Sequence, residues 1–165
     1  QQGKGRFLRE IPISQLGEDK QEEMSKNLER YSLYEAYEVR QVLETKAMDL
    51  IVRNATDSDL DEIETAYQTM LLRFAETNTT TGEFELHQLY AKKTGSVFME
   101  QTLNIVLSTI LEMMHTTSHN VMDMHQVEEE KADHRRIIDA LHKRDSSAAQ
   151  QAMYDHIQHT LDILQ

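Results

Sequence analysis

The stretch QVEEEKADHRRIIDALHK, residues 126–143, shows most clearly how this chain folds. Its apolar residues recur with helical spacing at i, i+10, i+11 and i+14: Val127, Ile137, Ile138 and Leu141. Residues at this spacing share one face of an α-helix, so the stretch is predicted to be an amphipathic helix. His134 stands at i+7, in the middle of the inward face, where a polar ring is unexpected.

The same type of pattern extends over most of the chain. Glycine occurs five times and proline once, and strong helix formers dominate after Leu16. The sequence therefore predicts an all-α fold, an antiparallel bundle of six to seven helices joined by short loops. The predicted helices span residues 18–29, 32–54, 56–76, 82–93, 96–117, 124–144 and 146–164, with Ser32, Thr56 and Asp145 or Ser146 as N-caps.

Composition excludes several functional classes. The 165 residues are enough for one domain with a genuine core. The absence of cysteine excludes thiolate metal sites, disulfides and cysteine nucleophiles, and it fits a cytoplasmic protein. The net charge of −12, without a basic cluster, argues against nucleic-acid binding by this chain itself. Apolar runs are far too short to cross a membrane.

Residues 1–17 differ from the rest, because they hold three of the five glycines and the only proline. A turn is predicted at residues 3–5 and a short strand at residues 6–11. An isolated strand has nothing to pair with, and the chain lacks an initiator methionine. We therefore expect these residues to be the end of a preceding domain.

Two further histidines fall on inward helical faces. His156 lies mid-stripe in the last helix, whose predicted inward face continues through Thr160 and Ile163. His87 shares a face with apolar neighbours, and Glu83, at i−4, can reach the same point in space. A buried polar group costs a few kcal/mol unless it finds a partner. Together with His134, these groups could share one partner, a divalent metal ion.

Other interpretations of these residues stay open. A single histidine on an apolar face is usually a hydrogen-bonded core residue, and only the combination of three makes a shared site equally plausible. Arg40, on the inward stripe of a long helix, would more often pair with Glu44 or Glu38 than clamp an anion. The acidic run at residues 128–130 is predicted to be a solvated first helical turn.

An enzyme is the less favoured functional class. Glu112 and His115 form an E-x-x-H pattern, but a di-iron carboxylate bundle needs two such motifs, and the near match at residues 139–142 has aspartate. No motif assigns a general base, so no catalytic residue is predicted. A purely structural interaction module would not explain three inward histidines.

Four motifs occur together and in a fixed order. The chain carries EVRQVLE at residues 38–44, EFELH at 83–87, DHRRIIDALHKRD at 133–145 and AMYDHI at 152–157. In these motifs, and from about Leu16 to its end, the chain resembles the C-terminal effector-binding (FCD) domain of GntR-type bacterial transcription regulators of the FadR subfamily. Two departures stand in the second motif, where Glu83 replaces the usual aspartate and Leu86 the usual phenylalanine.

The resemblance implies a ligand-sensing function without catalysis. It implies that a divalent metal is bound by Glu83, His87, His134 and His156, and that a small organic acid coordinates the metal while Arg40 pairs with its carboxylate. Three nitrogens and one oxygen suit Zn²⁺, Ni²⁺, Mn²⁺ or Fe²⁺.

The resemblance also accounts for the N-terminal residues. Residues 3–8, GKGRFL, resemble the G-x-G-T-F-V-like strand that ends the wing of a winged helix-turn-helix domain. We therefore expect residues 1–16 to be the remnant of that wing with its linker, and residues 17–165 to be the effector-binding and dimerisation domain. The implied partners are a small carboxylate, a second copy of the chain, and DNA through the absent N-terminal domain, with no membrane.

Overall fold

The computed structural model describes residues 18–77, 81–117 and 124–164, and these residues form six helices without a strand. The helices are α1 (Glu18–Asn54), α2 (Asp57–Thr77), α3 (Thr81–Lys93), α4 (Val97–Thr117), α5 (Met124–His142) and α6 (Ser146–Leu164). The predicted all-α class is confirmed. The predicted strand at residues 6–11 and the boundary at residue 16 lie outside the described residues.

Helix α1 is longer than predicted. It runs through 37 residues without interruption, so the predicted separate helices at 18–29 and 32–54 are wrong. Ser32 is a good N-cap residue, but residues 18–31 before it contain no glycine or proline that would end a helix. A cap residue without a preceding stop signal is simply tolerated in the helix interior.

The predicted helix starts are confirmed at α2 and α6. The Thr56 Oγ1 accepts from the Asp59 N–H at 3.2 Å, and Asp59 Oδ2 accepts from the Thr56 N–H at 2.8 Å, a reciprocal capping box. At α6, Asp145 Oδ1 accepts from the Ala148 N–H at 3.0 Å. Arg144, with φ of 55°, makes the left-handed turn between α5 and α6.

Helix α1 is the centre of the bundle. It packs along α6 and α4 and also contacts α3 and α5, while α2 packs on α3 and α5. In α6 the buried face continues through Ile157, Leu161 and Leu164, whereas Ile163 is 60% exposed, so the predicted stripe through Thr160 and Ile163 is wrong by one position. Among the described helices, none has the length and apolarity that a bilayer span requires.

Two isoleucines of α4 provide a matched test of this packing. Ile110 is fully buried and Ile105 is 68% exposed. Ile110→Ala should lower the free energy of unfolding by about 2–5 kcal/mol because it leaves a cavity. Ile105→Ala should change it by less than about 0.5 kcal/mol. Urea denaturation followed by circular dichroism measures both, and equal effects would contradict this arrangement of α4.

Candidate metal centre

The structure brings the four predicted metal ligands together from three helices. Glu83 and His87 lie on α3, His134 on α5 and His156 on α6. All four are buried, and the three histidines are at most 1% exposed. One potential ligand atom of each residue lies within 4.8 Å of those of the other three.

The distances between these atoms suit a metal ion. The Nε2 atoms of His87 and His156 are 3.2 Å apart. Glu83 Oε1 lies 3.5 Å from His87 Nε2 and 3.8 Å from His156 Nε2. An ion with bonds of about 2.0–2.2 Å holds neighbouring ligand atoms roughly 3.0–3.6 Å apart. Two of these three distances fall within this range, and the distance between Glu83 Oε1 and His156 Nε2 is slightly longer, so a small shift would place the three residues as ligands of a single ion.

His134 gives the strongest chemical argument for an ion. Both of its ring nitrogens are buried, and neither has a hydrogen-bond partner among the described residues. Burial, reinforced by the nearby His156 and His87, lowers its pKa well below the usual value. The ring is therefore neutral, which is the form that coordinates a metal. An unpaired polar ring in a closed core is otherwise costly.

Arg40 is held by two carboxylates in the core. Its Nε donates to Glu44 Oε1 at 2.7 Å, and its Nη2 donates to Glu83 Oε1 at 3.2 Å. Burial disfavours the charged guanidinium, but Glu44, Tyr37 and Glu83 together outweigh this effect, and the pKa of Arg40 is raised. The predicted pairing with Glu44 is confirmed, whereas Glu38 is exposed. Arg40 also directly contacts one of the four candidate ligands.

Glu44 connects Arg40 to a ligand histidine. Its Oε2 is hydrogen-bonded to Nδ1 of His87, whose Nε2 faces the other candidate ligands. Burial tends to raise the pKa of Glu44, but His87 and Arg40 outweigh it and lower that pKa to about 2. Carboxylates in this position commonly fix the orientation and tautomer of a metal-binding histidine. Helical spacing predicted Glu44 as a partner of Arg40 but gave no indication of this contact with His87.

Glu130 was predicted to be solvated, and this is wrong. It is only 6% exposed, while Glu128 and Glu129 beside it face solvent. Its position explains the difference, because it lies one turn before His134 and one turn after Val127 on the same inward stripe. Burial, followed by the charge of Glu83, raises the pKa of Glu130 to about 8.

A second carboxylate, Asp133, lies at the outer side of His156. Its Oδ2 accepts from His159 Nδ1 at 2.8 Å and lies 3.7 Å from His156 Nδ1, and its Oδ1 pairs with Arg136. Burial by itself lowers the pKa of His156. The charge of Glu130, then the contacts with Asp133 and Glu83, outweigh burial and raise that pKa to about 10.

The E-x-x-H residues do not form a second centre in the described part of the chain. Glu112 is exposed on α4, and Asp139 and His142 are exposed on α5. None of these three residues belongs to the buried group of candidate ligands. The structure therefore adds no support to a di-iron site.

Comparison with known proteins identifies the type of domain. The FCD domain model matches residues 35–159. The HTH-type transcriptional regulator LutR of Bacillus subtilis (strain 168) is 24% identical over 168 residues, an alignment that covers 99% of this chain and 75% of LutR.

Two solved structures share the fold. Streptococcus agalactiae GntR superposes with a TM-score of 0.70 at 18% identity, over 92% of this chain and 64% of that one. E. coli McbR/YncC gives a TM-score of 0.66 at 15% identity, over 79% of this chain and 62% of that one. The chain thus spans less than two thirds of either solved protein. Because the FCD domain model matches most of its length, this chain belongs to the FCD domain family of GntR-type transcription regulators.

Proposed function

We propose that this chain is the ligand-sensing domain of a bacterial transcription regulator that binds a divalent metal ion and, at that ion, a small organic acid. The observation that carries the proposal is the buried group of one carboxylate and three imidazoles, Glu83, His87, His134 and His156. In the intact protein, DNA would be bound by an N-terminal domain outside this chain. The relative LutR is named as a transcriptional regulator, which supports ligand binding without chemical conversion in this chain.

The donor set supports a borderline metal ion. Three imidazole nitrogens and one carboxylate oxygen suit Zn²⁺, Ni²⁺, Mn²⁺ or Fe²⁺, and without sulfur they do not favour a thiophilic ion. His134 would contribute a neutral ring that has no other partner among the described residues. The ion would supply a coordination position for an oxygen ligand such as a carboxylate. Glu83, although one methylene longer than the family's usual aspartate, places Oε1 close to two ligand nitrogens.

Arg40 supports the choice of a carboxylate as effector. Its guanidinium already pairs with Glu83, so it lies next to the proposed ion. A small carboxylate bound at the ion would be within reach of Arg40 and could replace Glu83 as its partner. The fully buried position of Arg40 favours a small molecule over a long acyl chain.

Binding would act as a switch in a homodimer. An effector can change the arrangement of the helices only by binding one arrangement more tightly than another. The proposed exchange of partners at Arg40 supplies such a difference, because it changes the contacts between α1 and α3. A changed dimer would present its two DNA-binding domains at a different spacing.

A structural metal site is the second candidate function. It is favoured by the pairing of Arg40 with both Glu44 and Glu83, which leaves the guanidinium well satisfied without an effector. In this case the ion would only tie α3, α5 and α6 together in a dimerisation module.

Metal content tests the shared basis of both candidates. Tag-free protein should contain about one divalent metal per chain by elemental mass spectrometry. His134→Ala should lose it, because it removes a ligand with no alternative. His142→Ala is the matched control, since His142 is an exposed histidine of the same helix and should leave the metal in place. Metal-free wild-type protein, even after soaking in Zn²⁺, Ni²⁺ and Mn²⁺, would contradict both candidates.

Metal affinity should depend on pH. The pKa of His156 is raised to about 10 in the metal-free protein, so binding must displace its proton near neutral pH. The Zn²⁺ dissociation constant should therefore increase at least about tenfold for each pH unit as the pH falls from 8 to 6. Competition with a chromophoric chelator measures this slope. A flat profile would mean that His156 is not a ligand.

A carboxylate screen separates the sensor from the structural site. Small carboxylates should raise the melting temperature of metal-loaded wild-type protein by mass action. Arg40→Lys keeps the charge but loses two-point pairing, so it should weaken effector binding about tenfold or more while retaining the metal. If no small carboxylate shifts the melting temperature, the structural site is the better description.

A further inference from the structure

Glu130 is a buried carboxylate that the proposed ligand set does not use. Its Oε2 is buried and has no hydrogen-bond partner among the described residues. This atom lies 3.5 Å from Nδ1 of His156 and 3.7 Å from Nε2 of His134. These histidines are its cationic or potentially cationic neighbours within 4 Å in the described part of the chain. A carboxylate in such a place needs a reason, because burying it without a partner is expensive.

The two nitrogens of His156 face different groups. Nε2 lies 3.2 Å from His87 Nε2 and 3.8 Å from Glu83 Oε1, at the proposed ion. Nδ1 faces Glu130 and is itself buried without a hydrogen-bond partner. A donor and an acceptor therefore face each other across 3.5 Å with neither satisfied. Closing this gap to hydrogen-bond length takes a shift of less than about 1 Å.

We propose that Glu130 is a positioning residue of the metal centre: its carboxylate accepts the Nδ1–H of His156 and so holds Nε2 of that ring toward the ion. The proposal rests on the metal site of the proposed function. It assigns to Glu130 a part in metal affinity that neither the motifs nor the ligand geometry alone indicate. A carboxylate on the outer nitrogen also makes the ring a stronger donor to the ion.

The opposite side of the site has the same arrangement. Glu44 is bonded to Nδ1 of His87, and Nε2 of that ring faces the ion position. Two of the three histidines thus present Nε2 inward and Nδ1 to a buried glutamate. The difference lies in the countercharge, because Glu44 is paired with Arg40, whereas Glu130 has only the histidines nearby. The charge of Glu130 is therefore balanced through His156 and the ion that His156 binds.

Asp133 is the competing acceptor for His156 and is less suited to this part. Its Oδ2 lies 3.7 Å from His156 Nδ1 but already accepts from His159 at 2.8 Å. Its Oδ1 is engaged by Arg136. Glu130 Oε2 has no such commitment and is closer. The outer nitrogen of His156 is therefore better assigned to Glu130.

The test compares Zn²⁺ binding by two variants of the 165-residue chain. Glu130→Gln removes the charge and keeps an acceptor, and Glu130→Leu removes both at similar volume. We expect the Zn²⁺ dissociation constant to increase about tenfold in Glu130→Gln and up to about 100-fold in Glu130→Leu. Glu128→Gln removes an exposed carboxylate two residues away on the same helix and should stay within about twofold of wild type.

Two readouts separate positioning from a merely structural role. The metal-free Glu130→Leu protein should be about as heat-stable as the metal-free wild type, because His156 can release its proton once the carboxylate is replaced by an apolar side chain of similar volume, so that no charge is left unpaired. In ¹⁵N-labelled, Zn²⁺-loaded wild type, long-range ¹H–¹⁵N spectra should show His156 protonated at Nδ1 and ligated through Nε2. In Glu130→Leu, the Nδ1 proton should exchange faster and lose its downfield shift.

The outcomes are distinct. Zn²⁺ affinities of both variants within twofold of wild type, or a His156 Nδ1 signal unchanged in Glu130→Leu, would overturn the part assigned to Glu130 and leave the proposed function intact. Failure of the wild-type chain to bind Zn²⁺ at all would overturn both. Weakened Zn²⁺ binding together with undiminished metal-free stability is the expected result.

Discussion

Glu44, Glu83 and Glu130 are buried near the histidines with a single buried arginine, Arg40, and the rest of the site follows from this imbalance. A fourth buried carboxylate, Asp133, is paired with Arg136. Arg40 is paired with Glu44 and Glu83, while Glu130 lies in the same core without a cationic side chain other than histidine within 4 Å among the described residues. The free energy needed to bury an uncompensated charge is far larger than the few kcal/mol by which one ion pair stabilises the fold. When Glu130 is ionised and His156 is neutral, as binding of the ion requires, Glu44, Glu83, Glu130 and Arg40 together carry a net charge of −2, which one divalent ion would balance. Charge balance and ligand geometry therefore favour the same occupant.

The same balance limits how an anionic effector can bind. With a divalent ion present, the three carboxylates and Arg40 are neutral together, so an added carboxylate would again leave a buried negative charge. An effector carboxylate that replaces one of these carboxylates therefore costs less free energy than one that is added to all three. Glu83 is the group best placed to be replaced, because Arg40 already holds Glu44 at 2.7 Å but reaches Glu83 only at 3.2 Å. An effector carboxylate that takes the place of Glu83 on Arg40 would leave the total charge of the core unchanged only if Glu83 took up a proton or left the core.

The accuracy of the sequence predictions varied with the range of the interaction. Helical spacing placed His87, His134 and His156 inside, because the face of a residue depends only on its own helix. Glu130 follows the same spacing, yet it was assigned to solvent because a run of three glutamates suggests a charged surface. The pairing of Arg40 with Glu83 could not be read from spacing, since 43 residues separate them and the contact depends on how α1 packs against α3. Ser32 shows the limit of local signals, because a capping residue ends no helix by itself.

The positions of the polar groups also suggest how a signal would leave the site. The proposed ligands lie on α3, α5 and α6, whereas Arg40 and Glu44 lie on α1, which packs against all three. A change of partner at Arg40 therefore alters the contact between α1 and the helices that would hold the ion. Helix α1 is the first helix of the described chain, and a DNA-binding domain on the N-terminal side would be attached through it. Under the proposed function, α1 is therefore the element best placed to carry an effect of the effector to such a domain, because its 37 residues form one continuous helix.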